Sequence, residues 1–356
     1  MNLYSSLRRA AGFVLAAVAA FTVQAQTDDT ATDTGISPVW NVEFESVFDN
    51  REGDSNILPT KTFFFTRLAP EGGVRFSKES SLVGGVVWTQ PLGADWDEGR
   101  VRPTLYYRFD SPVWKFSMGF LPRRQLTEEL PRFLWNDSLA YYDRNIQGAL
   151  VQYVHTRGWA EAYIDWPGMQ TRERREAFKI VAQGKWRPAS NAFFMGAHLM
   201  MNHYALTLHS GPDQHIVDNF LVDPFVGVSL SRPASWLDSL EVRAGVALTV
   251  ERNRANDDGW QAPYGGWLQL KGQWRWLRVE NLLYAGKALL PSYAEFGSAL
   301  YPGEAYFQKK FYNRTDLYLS LLHRRGVNLE AALDFNVAPG CFTFYQRLLL
   351  RIDLGN

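Results

Sequence analysis

A short segment between two apolar stretches concentrates charged side chains of both signs. The charged residues of this segment are Arg123, Arg124, Glu128, Glu129, Arg132, Asp137, Asp143 and Arg144. Charges arranged around an aqueous constriction select solutes by size and charge. If the segment folds into a water-filled cavity, it is expected to act as an electrostatic filter. The alternative is a solvated surface loop, which needs no such cavity.

Other patterns of reactive residues are weak. The chain contains no G-x-S-x-G or H-E-x-x-H motif and no Cys/His spacing typical of a metal site. Asp137-Ser138 resembles a fragment of a hydrolase site, but Asp-Ser pairs are commoner in turns. His203, His209 and His215, with Asp213 and Asp218 nearby, fall in or beside one flexible loop, whose spacing fixes no ligand geometry. We therefore expect no catalytic residues, no cofactor, no metal and no enzymatic activity.

The elements that must hold the charged segment are β-strands. From Val327 to Val337 apolar residues alternate with polar ones, so one face of a strand is apolar and the other polar. Similar segments recur along the chain, although 145–156 and 192–204 alternate poorly. About sixteen strands are predicted, at 38–49, 60–77, 81–91, 100–110, 113–122, 145–156, 158–167, 176–187, 192–204, 218–231, 237–251, 262–275, 276–287, 311–324, 326–337 and 342–353.

Tight connections alternate with long ones, as they do between the periplasmic turns and extracellular loops of bacterial outer-membrane barrels. Residues 1–25 have the basic, apolar and small-residue regions of a signal peptide, with cleavage near Ala25, and 26–37 are predicted to be a short periplasmic lead. An 18-residue apolar run is absent from the remainder. Residues 38–356 are thus predicted to form a single antiparallel β-barrel that spans the outer membrane.

Composition agrees with this fold class. The formal net charge is zero, which argues against a nucleic-acid-binding protein, and the single Cys341 excludes an intramolecular disulfide. Tryptophan prefers the membrane–water boundary. Several tryptophans lie beside predicted tight turns, namely Trp114, Trp159, Trp186, Trp236, Trp274 and Trp276.

Charged residues on the strands are assigned to the inner face. An Arg or Lys that faces lipid near the midplane costs about 2–4 kcal/mol, so such residues are expected to line water. The predicted lining residues are Arg67, Arg102, Arg108, Glu161, Asp165, Arg243, Arg275, Arg278, Glu330, Asp334, Arg347 and Arg351. Because both signs are mixed, the lining predicts no ion selectivity.

Several short motifs resemble the porin-like outer-membrane barrels of Bacteroidetes-type bacteria. They are F-D-N-R-E-G-D (48–54), R-L-A-P-E-G-G-V (67–74), G-F-L-P-R (119–123), L-P-R-F-L-W-N-D-S (130–138), Y-Y-D-R-N-I-Q-G (141–148) and D-W-P (165–167). The resemblance implies an outer-membrane location and passive transport, and it supplies no catalytic residues. The C-terminal R-I-D-L-G-N departs from the terminal aromatic residue of many such barrels.

The sequence thus predicts passive diffusion of small hydrophilic solutes through a lumen constricted by the 123–144 segment. The expected partners are outer-membrane lipid, those solutes and a possible homo-oligomer, without nucleic acid. Two alternatives stay open. One is a plugged barrel that binds or adheres through its extracellular loops, and the other is an outer-membrane lipid-modifying enzyme.

Overall fold

The computed structural model describes residues 35–188, 192–211, 214–255 and 259–355. The predicted signal peptide and almost all of the predicted lead lie outside these residues. None of the helices in the described ranges is long and apolar enough to cross a membrane.

Residues from Ser37 onward form one closed antiparallel barrel of sixteen strands, as predicted. Each strand pairs with its sequence neighbours, and β1 closes the barrel against β16. The strands are β1 (Ser37–Asp54), β2 (Lys61–Arg75), β3 (Ser80–Pro91), β4 (Arg100–Asp110), β5 (Trp114–Pro122), β6 (Asn145–His155), β7 (Gly158–Gly168), β8 (Ala177–Trp186), β9 (Phe193–Tyr204), β10 (Val217–Ala234), β11 (Leu237–Asn253), β12 (Tyr264–Trp274), β13 (Leu277–Gly286), β14 (Phe311–Arg324), β15 (Val327–Ala338) and β16 (Cys341–Gly355).

Among the described residues, helical structure is confined to the connections between strands. The α-helices are α1 (Asp137–Tyr142) and α2 (Tyr293–Phe296). Short 3₁₀ turns cover Trp96–Glu98, Arg123–Gln125, Gly297–Ala299 and Ala305–Gln308. Two of the two-residue turns contain Gly326 and Gly340, whose φ values are 73° and 69°. These left-handed angles suit glycine and allow the tight reversals before β15 and β16.

The two faces of the wall follow the alternation of the sequence. On β15, Leu333 and Val337 are exposed on the outside, whereas Asp334 and Asn336 are completely buried inside the barrel. The same division holds on β1, where Glu45 and Asp49 face inward and Phe48 packs against Phe64 outside. The outer wall is therefore apolar, and the interior holds the charged groups.

The tryptophans follow the prediction with one exception. Five of the six that were predicted to lie beside tight turns are exposed on the outside, namely Trp114, Trp186, Trp236, Trp274 and Trp276. Trp159 is half-buried and lies in register with the inward-facing Lys185, so its expected place at the boundary is wrong.

The lipid-facing assignment predicts the effect of a charge on the outer wall. Leu333→Arg is expected to lower the free energy of unfolding in lipid vesicles by about 2–4 kcal/mol, because a cation there meets hydrocarbon. Urea unfolding followed by tryptophan fluorescence measures the change. Leu333→Met, which keeps the volume without a charge, is the control. Equal stability of the two variants would contradict the assignment.

Candidate functional site in the barrel lumen

The connection between β5 and β6, residues 123–144, folds into the barrel and is called inner loop A. It begins with the 3₁₀ turn Arg123–Gln125 and ends with α1, whose N-cap residue Asn136 accepts a hydrogen bond from the backbone N–H of Leu139 at 2.9 Å. Phe133 and Leu134 are 3% and 1% exposed. Such burial requires the loop to pack against the inner wall, so it is not a solvated surface loop.

Charged residues of inner loop A bind opposite sides of the wall. Arg124 forms ion pairs with Glu43 of β1 at 3.0 Å and Glu71 of β2 at 2.6 Å. Glu128 pairs with Lys185 of β8 and with Arg243 of β11 at 3.0 Å. These two cations outweigh the effect of burial and lower the pKa of Glu128. The loop is thus held across the lumen.

A second connection, residues 287–310 between β13 and β14, also enters the barrel and is called inner loop B. Leu300, Tyr306 and Phe307 have no exposed surface. Asn136 of inner loop A donates a hydrogen bond to the Pro302 carbonyl at 2.9 Å. The long connections were predicted to be extracellular loops, but this one enters the barrel, and its many aromatic residues were the signal that it packs inside.

Both inner loops meet the wall in a buried cluster of ions around Arg314 of β14, which is 1% exposed. Arg314 pairs with Asp137 at 2.9 Å, Glu304 at 3.3 Å, Asp316 at 2.7 Å and Asp334 at 3.1 Å.

Two further arginines extend the Arg314 cluster. Arg132 pairs with Asp137 and lies 3.6 Å from Asp316, and Arg347 pairs with Asp334 at 2.6 Å. Burial opposes ionisation of Asp137, but Arg132 and Arg314 hold its pKa well below the ordinary value. Burial and the neighbouring Asp137 raise the pKa of Glu304. The cluster therefore keeps Asp137 charged and makes the charged form of Glu304 costly.

The other predicted constriction residues occupy the same loop in different environments. Arg123 pairs with Asp165 of β7 and with Asp143, while Arg144 lies 3.5 Å from Glu45. Glu129 is exposed.

Most predicted lining residues lie on the inner wall. Glu161 accepts hydrogen bonds from the backbone N–H of Thr127, Arg67 pairs with Glu45, and Arg102 lies 3.4 Å from Asp143. Other predicted lining residues form the pairs Arg108–Asp110, Arg243–Glu241, Arg278–Glu330 and Arg351–Glu45.

Arg275 is the exception among the lining residues. It lies in the turn between β12 and β13 with a φ of 48°, and its backbone N–H donates to Asp238 at 2.5 Å. Its assignment to the lumen was wrong because the turn interrupts the alternation.

Two small gaps remain between inner loop A and the wall of β2 to β4. Each has a volume of about 10 Å³, and they share Val87, Arg144 and Asn145. Their charged lining residues are Arg67, Arg100, Arg102, Arg124, Arg144 and Glu43. Four of the five arginines contact carboxylates, in the pairs Arg67–Glu45, Arg102–Asp143, Arg124–Glu43 and Arg144–Glu45.

Ser138 shows no hydrolase arrangement. Its hydroxyl accepts a hydrogen bond from Arg51 Nη1 at 3.3 Å, and none of the described histidines lies within hydrogen-bond distance of it. His198 instead pairs with Asp223 inside the barrel at 2.7 Å. Within the described ranges, no group of three or more His, Cys, Asp and Glu residues is placed to hold a metal ion.

A row of side chains crosses four strands on the outer face and is called the outer rung. Phe178, His203, Asp218 and Arg252 are successive register partners on β8, β9, β10 and β11. Arg254 binds Asp218 through two hydrogen bonds of 2.8 and 2.9 Å. These residues lie where β9 ends and β10 begins, on the side of the long loops. The sequence contained these residues, but only the register brings them into one row.

The Arg314 cluster predicts a large effect of removing its central cation. Arg314→Met leaves Asp316 and Asp334 buried without that partner, so the free energy of unfolding is expected to fall by about 3–5 kcal/mol. Urea unfolding in detergent micelles measures the loss. Arg325→Ala, an exposed arginine in the turn before β15, should change stability by less than about 0.5 kcal/mol. A similar midpoint for the two variants would show that the cluster does not hold the loops.

Solved structures with the same fold are outer-membrane proteins. The chain is similar to OpdK of Pseudomonas aeruginosa, at 9% identity and a TM-score of 0.52, covering 90% of this chain and 99% of that one. It is also similar to a loop L8 deletion mutant of OmpT, an outer membrane protein of Vibrio cholerae, at 10% identity and a TM-score of 0.53, covering 90% and 100%. At this identity the similarity shows the fold alone, and it confirms the resemblance to porin-like barrels.

A comparison with curated protein sequences finds no match. A family model described as lipid A 3'-O-deacylase-type matches residues 39–352, which include nearly the whole barrel. This description names an enzymatic activity, so the expectation that the chain is not an enzyme is wrong. The chain belongs to the lipid A 3'-O-deacylase-type family.

Proposed function

We propose that the protein is a porin-like channel of the bacterial outer membrane, through which small hydrophilic solutes diffuse past inner loop A. The apolar outer wall and its exposed tryptophans support the location. The carrying observation is that inner loop A is bonded across the lumen yet leaves polar gaps beside β2 to β4. A constricted lumen of this kind filters solutes by size and charge.

The dimensions of the gaps limit what passes. A volume of about 10 Å³ accommodates roughly one water molecule, so the passage is narrow at these points. Four of the five arginines that line it contact carboxylates, and Arg100 forms no ion pair among the described residues, so Arg100 adds a positive charge there that favours anions. We therefore expect small unitary conductance with a preference for anions over cations.

Planar-bilayer recording tests the channel directly. Purified, folded protein inserted into a bilayer is expected to give small conductance steps in KCl. If the protein inserts as a native, protease-resistant barrel but gives no conductance steps, the channel proposal is wrong.

Arg102→Ala tests the charge of the passage. The Arg102 side chain is 44% exposed and its contact with Asp143 is long, at 3.4 Å, so its removal should leave the fold intact. The reversal potential in a KCl gradient is expected to shift toward lower anion selectivity. Arg325→Ala removes the same charge outside the lumen and should leave the potential unchanged. An identical shift in both variants would contradict the assigned path.

Family membership favours a second candidate function, the removal of an acyl chain from lipid A. Lipid A occupies the outer leaflet, and the outer rung faces this side of the barrel. His203 could serve as the general base that activates water, while Arg252 offers a cation for a phosphate group. Water would attack the ester carbonyl, the C–O bond would break, and a fatty acid and a free hydroxyl would form.

Mass spectrometry of lipid A from cells that produce the protein tests this activity. The wild type is expected to yield lipid A that lacks one acyl chain, and His203→Ala should abolish the product. The control is His323→Ala. His323 is exposed near the C-terminal end of β14, at the end of the barrel opposite the outer rung. Unmodified lipid A in the presence of folded wild-type protein would overturn the second candidate without affecting the channel.

A further inference from the structure

A pocket of about 220 Å³ opens between the ends of β1, β2 and β16 and the two inner loops. Its lining includes Arg51, Lys61, Phe63, Ser138, Glu304 and Tyr345. We propose that this mouth pocket binds a small polyhydroxylated ligand of about the size of a monosaccharide. The proposal is independent of the channel and of lipid A deacylation.

The mouth pocket contains two hydrogen-bond donors, Arg51 and Ser138, and the contacts of Arg51 hold its guanidinium in place. The Arg51 side chain is 9% exposed, and its Nε and Nη2 donate to Asp49 Oδ2 at 3.0 and 2.8 Å. Its guanidinium lies 4.6 Å from the Phe63 ring centroid and 4.8 Å from that of Tyr345. Only Nη1 is directed to Ser138, whose oxygen accepts this hydrogen bond at 3.3 Å. The Ser138 hydroxyl can therefore donate its own proton to a ligand.

The remaining polar groups of the mouth pocket differ in charge and in whether they donate or accept hydrogen bonds. Lys61 lies over the Phe63 ring at 4.7 Å. Tyr306 OH lies 2.7 Å from Thr343 Oγ1. Each hydroxyl of a polyol both donates and accepts, so it can meet all of these groups. Asp49 neutralises Arg51, so a simple anion would meet the charge of Lys61 beside the buried Glu304, and an apolar ligand would leave the polar groups unpaired.

The mouth pocket is closed on the lumen side, and its volume limits the size of the ligand. Glu304 and Asp49 are 3% and 0% exposed, so the Arg314 cluster and its neighbours seal the lumen side of the pocket. A volume of 220 Å³ lies below the roughly 300–1,000 Å³ of typical drug-sized pockets. A pocket of this size suits one sugar ring.

Isothermal titration calorimetry of the full-length protein in detergent tests the proposal, with D-glucose, D-galactose and N-acetyl-D-glucosamine as probes and inorganic phosphate as the anion control. At least one sugar is expected to bind with one site per chain. Ser138→Ala and Lys61→Ala should each weaken that binding about tenfold, because each removes a hydrogen-bonding group from the ligand. The matched controls Ser210→Ala and Lys310→Ala, at loop positions outside the pocket, should bind like the wild type.

Three outcomes would overturn the proposal. They are no sugar binding by a barrel that shows the folded mobility in unboiled gels, unchanged affinity in both pocket variants, and binding of phosphate without sugar. If Ser138→Ala does not fold, Lys61→Ala tests the proposal alone, because Lys61 is exposed at the edge of the pocket.

Discussion

The ion cluster around Arg314 is the interaction on which the interior depends. Bringing charged groups out of water is expensive, and their mutual attraction compensates only when every charge finds partners. Here Arg314 belongs to the wall, Asp137 to inner loop A and Glu304 to inner loop B. Neither loop can leave the lumen without leaving a buried charge unpaired. We infer that the cluster sets where the loops lie more than it adds to net stability.

The rest of the interior follows from that placement. Once the loops are held, Phe133 of inner loop A packs against Phe307 of inner loop B, with ring centroids 6.0 Å apart. Trp267 of the wall lies 6.1 Å from Phe133 on another side. The barrel thus encloses a partly apolar core, although its outer wall is apolar as well. Polar gaps survive beside β2 to β4, where arginines pair with carboxylates of the wall and of inner loop A.

The strands could be predicted well because alternation is a local property of the chain. The largest discrepancy is β1, which extends to Asp54 rather than to residue 49. Its last residues are mainly polar and show no alternation, but they pair with Phe342 to Tyr345 of β16. This pairing joins opposite ends of the chain, so local pattern could not predict it. The same limit applies to inner loop B and to the outer rung, whose members come together only through register.

The inward and outward faces of the barrel separate the proposed activities. Diffusion would use the gaps beside Arg102 and Arg144, which face the lumen. Lipid A deacylation would use the outer rung, since β-strand side chains alternate and His203 faces away from the inward-facing His198. The two histidines lie on one strand but in different environments, because His198 is buried inside the barrel and His203 is on the outer face. A single wall can therefore serve both activities, and a change at one face need not disturb the other.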